Sequence, residues 1–120
     1  MGYDLHITRA ESHYDSAATP IVLEEWLDWL RRDPELKLAG INGPYFTVFA
    51  NVSDPRRSSW LDWMNGEIYS KFPSLRMVRK MIAIADKLKA KVQGDELEVY
   101  TPTELHGIDS PKYQKDLGYE

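Results

Sequence analysis

Asn65-Gly66 stands between two runs of strand-like sequence, Ser59 to Met64 and Glu67 to Phe72. A two-residue turn matching the right-handed twist of paired strands needs positive φ at both central positions, and Asn followed by Gly accepts that with little strain. The dipeptide therefore predicts a β-hairpin of fixed register. A lone hairpin is marginal in water, so the rest of the chain must supply more strands and a cover.

Those strands are legible in short pieces. Tyr3, Leu5 and Ile7 alternate with Asp4, His6 and Thr8, the period of a half-buried strand. Further strands are expected at Leu36 to Ile41, Tyr45 to Val52 and Lys91 to Tyr100, the last interrupted at Gly94-Asp95. The polar stretch from Arg9 to Pro20 reads as a surface loop.

Two amphipathic helices provide the cover. Leu23, Trp26, Leu27 and Leu30 recur at i, i+3, i+4 and i+7, predicting a helix from Val22 to Arg32. Its acids come early and its bases late, which suits the helix dipole, and Asp33-Pro34 ends it. Ser74 is placed to cap a second helix from Leu75 to about Ala90, with Leu75, Val78, Met81, Ile82, Ala85 and Leu88 as its apolar stripe. The fold class expected is α+β, a mostly antiparallel sheet with two helices packed on it. Residues 1–101 form a single domain in this reading, and 102–120 a polar C-terminal tail.

Composition narrows the function classes. With 120 residues, 42% hydrophobic and 28% charged, the chain can bury one core. It has no cysteine, which excludes disulfides, thiolate catalysis and Cys-based zinc sites. The start lacks a basic region followed by an apolar stretch, and no run is long and apolar enough to span a bilayer. A cytoplasmic protein without a membrane partner is expected. The net charge of −4 is uneven: Lys71 to Lys91 holds seven bases and one acid, leaving eight bases and 18 acids elsewhere.

Catalytic signatures are sparse. His6, His13 and His106 do not share the i, i+3 or i+4 spacing that sets two ligands on one helical turn, so no metal site or cofactor is predicted. His6 shares a strand face with Asp4, and a carboxylate that orients an imidazole is a common acid–base device. Side chains two apart on a strand run parallel, however, which favours cross-strand hydrogen bonds. Gly40-Ile41-Asn42-Gly43 lacks the lysine and hydroxyl of a phosphate loop and reads as a turn. With no nucleophile elbow, paired-carboxylate motif or dinucleotide fingerprint, an enzyme is not expected. Four tryptophans come as two pairs, Trp26 with Trp29 and Trp60 with Trp63, and one of each pair is expected to be partly exposed.

The opening Gly2-Tyr3-Asp4-Leu5-His6-Ile7-Thr8-Arg9, the helix start Leu23-Glu24-Glu25-Trp26 and the stretch from Trp60 to Tyr100, with its Lys91-Val92-Gln93-Gly94-Asp95-Glu96, resemble a family of small bacterial proteins, most of unknown function. The resemblance covers about the first hundred residues and implies fold more than activity. Val22 stands where members of that family carry a capping serine, which implies a frayed start to the first helix. Small, acidic, cysteine-free domains of this kind are similar in type to the immunity proteins of contact-dependent growth inhibition and related toxin systems.

The leading expectation is therefore an interaction protein that neutralises a cognate bacterial toxin, such as a basic nuclease. Glu24, Glu25, Asp28, Asp62 and Glu67 are the candidate acids, and Trp29 and Trp60 the anchors. The alternative is a small enzyme or ligand-binding domain around Asp4, His6 and Asp62, which requires a pocket at His6. Direct nucleic-acid binding through Arg76, Arg79, Lys80 and Lys87 is disfavoured by the overall acidity.

Overall fold

The computed structural model describes residues 3–40 and 43–101. The expected C-terminal tail, and His106 with it, lies outside the described residues. Seven strands form one antiparallel sheet: β1 (Asp4–Thr8), β2 (Leu36–Leu38), β3 (Thr47–Phe49), β4 (Trp60–Met64), β5 (Glu67–Lys71), β6 (Lys91–Gly94) and β7 (Val99–Tyr100). Their order across the sheet is β2-β3-β4-β5-β1-β6-β7. Helices α1 (Leu23–Arg32) and α2 (Leu75–Lys87) complete the α+β fold.

The Asn65-Gly66 hairpin forms as expected. Both residues have positive φ, 52° and 88°, and Met64 faces Glu67 across the turn. That register sends Leu61, Trp63 and Ile68 to one side of the sheet and Trp60, Asp62, Glu67 and Tyr69 to the other. Leu5, Ile7, Leu61, Ile68 and Val92 join Trp26, Met77, Val78, Met81 and Ile84 in the core. Gly66 carries a second constraint, because a Cβ there would meet Ser16 O at 2.6 Å and Pro20 Cβ at 2.8 Å.

Three local expectations are corrected. Arg9 to Pro20 is not merely a loop, since His13–Ala18 forms a kinked 3-10 segment started by Ser12, whose side chain accepts the Tyr14 N–H. The buried stripe of α2 is Met77, Val78, Met81, Ile84 and Ala85, with Leu75, Ile82 and Leu88 at its edges. The helix is thus rotated from the expected stripe, the methionine at 77 filling the core in place of leucine at 75. The predicted strands at 36–41 and 45–52 shorten to β2 and β3, Ile41 lying outside the described residues, whereas 91–100 forms β6 and β7 with the expected interruption at the Gly94–Leu97 turn.

Local chemistry secures the helices. Ser74 accepts the Met77 N–H at 3.1 Å, the cap the sequence predicted. Val22 has no acceptor of its own, but the Glu25 carboxylate takes the Val22 N–H at 3.1 Å and pairs with Arg9 in a two-pronged contact of 2.8 and 2.6 Å. The start of α1 is therefore held from within the helix. Its end is tied to α2, where Lys80 donates to Asp33 at 3.0 Å and also to Glu35. Among the described residues, no helix is long and apolar enough to cross a membrane.

Gly66→Ala is expected to lower the urea-unfolding free energy by more than about 1 kcal/mol, because the new Cβ is blocked by backbone and its φ is unfavourable. Asn65→Gly should stay within about 0.5 kcal/mol of the parent; equal effects would refute the close-packing account. A pH prediction comes from Asp33. Burial pushes its carboxyl up, but the Lys80, Glu35 and Trp29 hydrogen bonds outweigh that and hold it below the ordinary carboxylate value. The resulting stabilisation is complete above the unfolded value of about 3.9 and fades as pH falls through the folded one. Asp33→Asn should accordingly lose stability relative to the parent at pH 6, with the gap closing at pH 3.

Candidate functional site

The face of the sheet turned away from the helices carries a polar row, Gln93, His6, Tyr69 and Asp62, set side by side by the strand registers. At the His6 end the 3-10 segment folds over this row. The result is a cleft of about 420 Å³ lined by Asp4, His6, His13, Tyr14, Ser16, Ala17, Met64, Asn65, Glu67 and Asp95.

His6 is the centre of it. Its Nδ1 donates to Glu67 Oε1 at 2.5 Å and its Nε2 to Asp95 Oδ1 at 3.2 Å. Each carboxylate is itself fixed. Glu67 Oε2 lies 3.2 Å from Ser16 Oγ, which is 2.7 Å from Thr8 Oγ1, and Asp95 Oδ2 accepts the Asp4 backbone N–H at 2.9 Å. Burial works against the charge on His6, but Glu67 and then Asp95 outweigh it and raise its pKa. The imidazolium is thereby favoured.

The ring of His13 stacks on that of His6, with centroids 3.7 Å apart and planes 2° from parallel. Its backbone N–H is held by Gln93 Oε1 at 2.7 Å. Burial, and then the charge on His6, lower the pKa of His13. Two adjacent imidazoles are thus pushed in opposite directions, one toward the charged form and one toward the neutral. His13 is only 6% exposed, and its Nε2 is buried with no hydrogen-bond partner. Asp4 Oδ1 is buried without a hydrogen bond as well, with Lys71 Nζ 3.7 Å from it.

Ser16 does not complete a nucleophilic triad. Its hydroxyl contacts Glu67, Thr8 and the His13 carbonyl, whereas His6 Nε2 faces Asp95. The cleft is instead a store of acceptors: three carboxylates and one unpartnered imidazole nitrogen. His6, His13 and Asp95 offer ligand atoms within 4.8 Å of one another, a grouping suited to a metal ion. These residues are joined by strand pairing and a folded-over turn, to which the i, i+3 or i+4 spacing of helical ligands does not apply.

The residues expected to form an acidic docking face do not gather. Glu25 is engaged with Arg9 and Asp28 with Arg31 and Arg32. Trp29 donates to Asp33 and lines a groove with Arg32 and Lys87, a cationic setting. Glu24 belongs to α1, while Trp60 and Asp62 lie on the other face of the sheet. Trp60 is half-buried against Phe46 and Tyr69, and burial raises the pKa of its neighbour Asp62. Glu67 is not a surface acid, since its side chain is 13% exposed and bound to His6. Asp4 and His6 do meet in one cleft, from which Asp62 is separated by Tyr69. His13, Glu67 and Asp95 are its principal members not foreseen as partners of His6. Asp95 had one available signal, the turn-like Gly94-Asp95 in the last strand.

Of the cations considered for nucleic acid, Arg76 sits over the Phe49 ring and bonds Asn51, and Lys80 is paired with Asp33 and Glu35. Gly40 and Gly43 have positive φ, as a turn requires, and Ile41 and Asn42 between them lie outside the described residues. Comparison of the chain with protein-family models, with curated proteins and with solved structures finds no match.

Because its folded pKa is raised, His6 contributes stability that is complete below the unfolded value of about 6.5 and is lost as pH rises through the folded one. Glu67→Gln is expected to lower the His6 titration midpoint, followed by NMR of the imidazole protons. An unchanged midpoint would show that Glu67 does not hold the imidazolium.

Proposed function

We propose that this chain is a binding domain whose site is the His6 cleft, and that its ligand is a small organic cation, an amine or guanidinium. The pocket around His6 that a ligand-binding domain requires is the cleft under the 3-10 segment. The observation that carries it is a pair of unmet polar atoms: Asp4 Oδ1 and His13 Nε2 are buried without hydrogen-bond partners in a cleft that also holds the Glu67 and Asp95 carboxylates. Burying acceptors without donors costs free energy, and a ligand rich in N–H groups offsets that cost. Tyr14 and Met64 supply the apolar contact such clefts use to hold a ligand's body.

Thermal melting of the full chain with amines, guanidines and amino acids, set against neutral isosteres, tests the reading. Cationic ligands should raise the melting temperature, less so at high salt, and His13→Ala and Asp95→Asn should abolish the rise. No shift with any cation, or an undiminished shift in both variants, would overturn it.

A second reading keeps the same cleft and changes the occupant to a basic side chain of a partner protein, the chain acting as an immunity protein in the cytoplasm. It is favoured by the exposure of Tyr14, 76%, and Met64, 51%, at the mouth of the cleft beside carboxylates. An aromatic ring and a thioether next to acids make a typical anchor for a basic segment. Co-expression with a toxin domain encoded beside this chain provides the test. Protection should fail in a Tyr14→Ala, Asp95→Lys double variant and persist in Asp28→Asn; full protection by the double variant would sink this reading.

A further inference from the structure

We infer that the His6 cleft binds a divalent transition metal ion of the zinc type, held by His6 Nε2, His13 Nε2 and Asp95 Oδ1. This rests on the reading that the cleft is the functional site and changes the chemistry of what occupies it.

Three observations carry it. The first is spacing. His6 Nε2 and Asp95 Oδ1 lie 3.2 Å apart. Two ligands on one tetrahedral ion with bonds near 2.0 Å are about 3.3 Å apart, so this pair is already at ligand separation. The second is the support behind His6. A metal-bound histidine characteristically donates its other N–H to a carboxylate, which fixes the tautomer and the ring. His6 Nδ1 does this toward Glu67, and Glu67 is braced in turn by Ser16 and Thr8.

The third is His13. It is 94% buried, lines the cleft, and has no hydrogen-bond partner for Nε2. A buried imidazole nitrogen left unmet is costly, and coordination would meet it. One ligand atom from each of the three residues lies within 4.8 Å of the others, and a turn of the stacked His13 ring about its side-chain bonds would bring its Nε2 toward His6 and Asp95. Asp95 is held from behind by the Asp4 N–H through Oδ2, and the ion would take the place of the His6 Nε2 proton now shared with Oδ1, that proton leaving to solvent.

Two imidazoles and one carboxylate favour zinc, cobalt, nickel or copper over magnesium or calcium, which prefer oxygen donors. Three protein ligands also leave a fourth position toward the cleft, the pattern of a site that takes a water or a ligand group.

The test uses the full chain after chelator treatment, titrated with Zn²⁺ by calorimetry and with Co²⁺ by visible absorption, Mg²⁺ serving as control. One Zn²⁺ per chain is expected, with an intensified Co²⁺ spectrum of low coordination number and no comparable Mg²⁺ binding. His13→Ala and Asp95→Ala should each weaken Zn²⁺ binding by more than about tenfold, and Glu67→Gln, a positioning change, by about 10- to 100-fold. His13→Ala removes no side-chain hydrogen bond at Nε2, and circular dichroism with His13→Asn as a second variant keeps folding and binding apart. Absence of Zn²⁺ binding, or undiminished affinity in both His13 variants and Asp95→Ala, would overturn the inference. Melting shifts with organic cations but none with Zn²⁺ would end it while leaving the proposed function standing. Zn²⁺ binding without any organic-cation shift would do the reverse.

Discussion

The close approach at Gly66 is the constraint on which the rest depends. Its missing side chain lets the segment from Ser16 to Pro20 lie against the hairpin, and its carbonyl accepts the Ile21 N–H at 2.9 Å. The turn it completes sets the register that puts Ile68 in the core and Glu67 on the opposite face, beside His6. One backbone geometry therefore seats the first helix, aligns the core strands and brings the 3-10 segment over the polar row. Trp63 secures the same junction from the core side, its indole N–H donating to the Ile21 carbonyl at 2.8 Å.

The cleft that results is polar where a small domain would ordinarily be covered or solvated. Thr8, Ser16, His6, His13 and Gln93 are all buried, and most are joined in one hydrogen-bonded network. Such networks rigidify when complete and are costly where incomplete. Among the described residues, the buried side-chain atoms left without a hydrogen bond are His13 Nε2 and Asp4 Oδ1 at the cleft, and Trp26 Nε1 and Ser70 Oγ elsewhere. The opposed shifts at His6 and His13 have different leading causes: two carboxylates outweigh burial at His6, whereas at His13 burial leads and the charge on the stacked His6 ring adds to it.

The fold was largely legible, because its signals are local. Asn65-Gly66 needs only its own φ angles, Ser74 only the amide three residues on, and the helices only a periodic stripe. The errors have local causes as well. Period alone does not say which of several adjacent apolar positions faces the sheet, so Val78, Met81 and Ala85 of the expected α2 stripe are buried, while Met77 and Ile84 take the places expected of Leu75, Ile82 and Leu88. The Arg9 to Pro20 segment has no apolar period, and its structure comes from hydroxyl and imidazole contacts with distant strands.

The site was legible only at its centre. Asp4 and His6 share a strand face by period, but Glu67 and Asp95 are 61 and 89 residues from His6 and reach it through strand pairing and the β6–β7 turn. Charge counting grouped Glu67 with surface acids because it cannot separate a carboxylate in water from one bound to an imidazole. By itself the sequence determined the class of fold, the hairpin, the Ser74 cap and the absence of thiol chemistry, all of which follow from nearby residues or composition. The tertiary structure alone decided that two histidines stack, that two carboxylates clamp one of them, and that a nitrogen is left unmet in the cleft, because those are contacts among residues that only a folded sheet brings together.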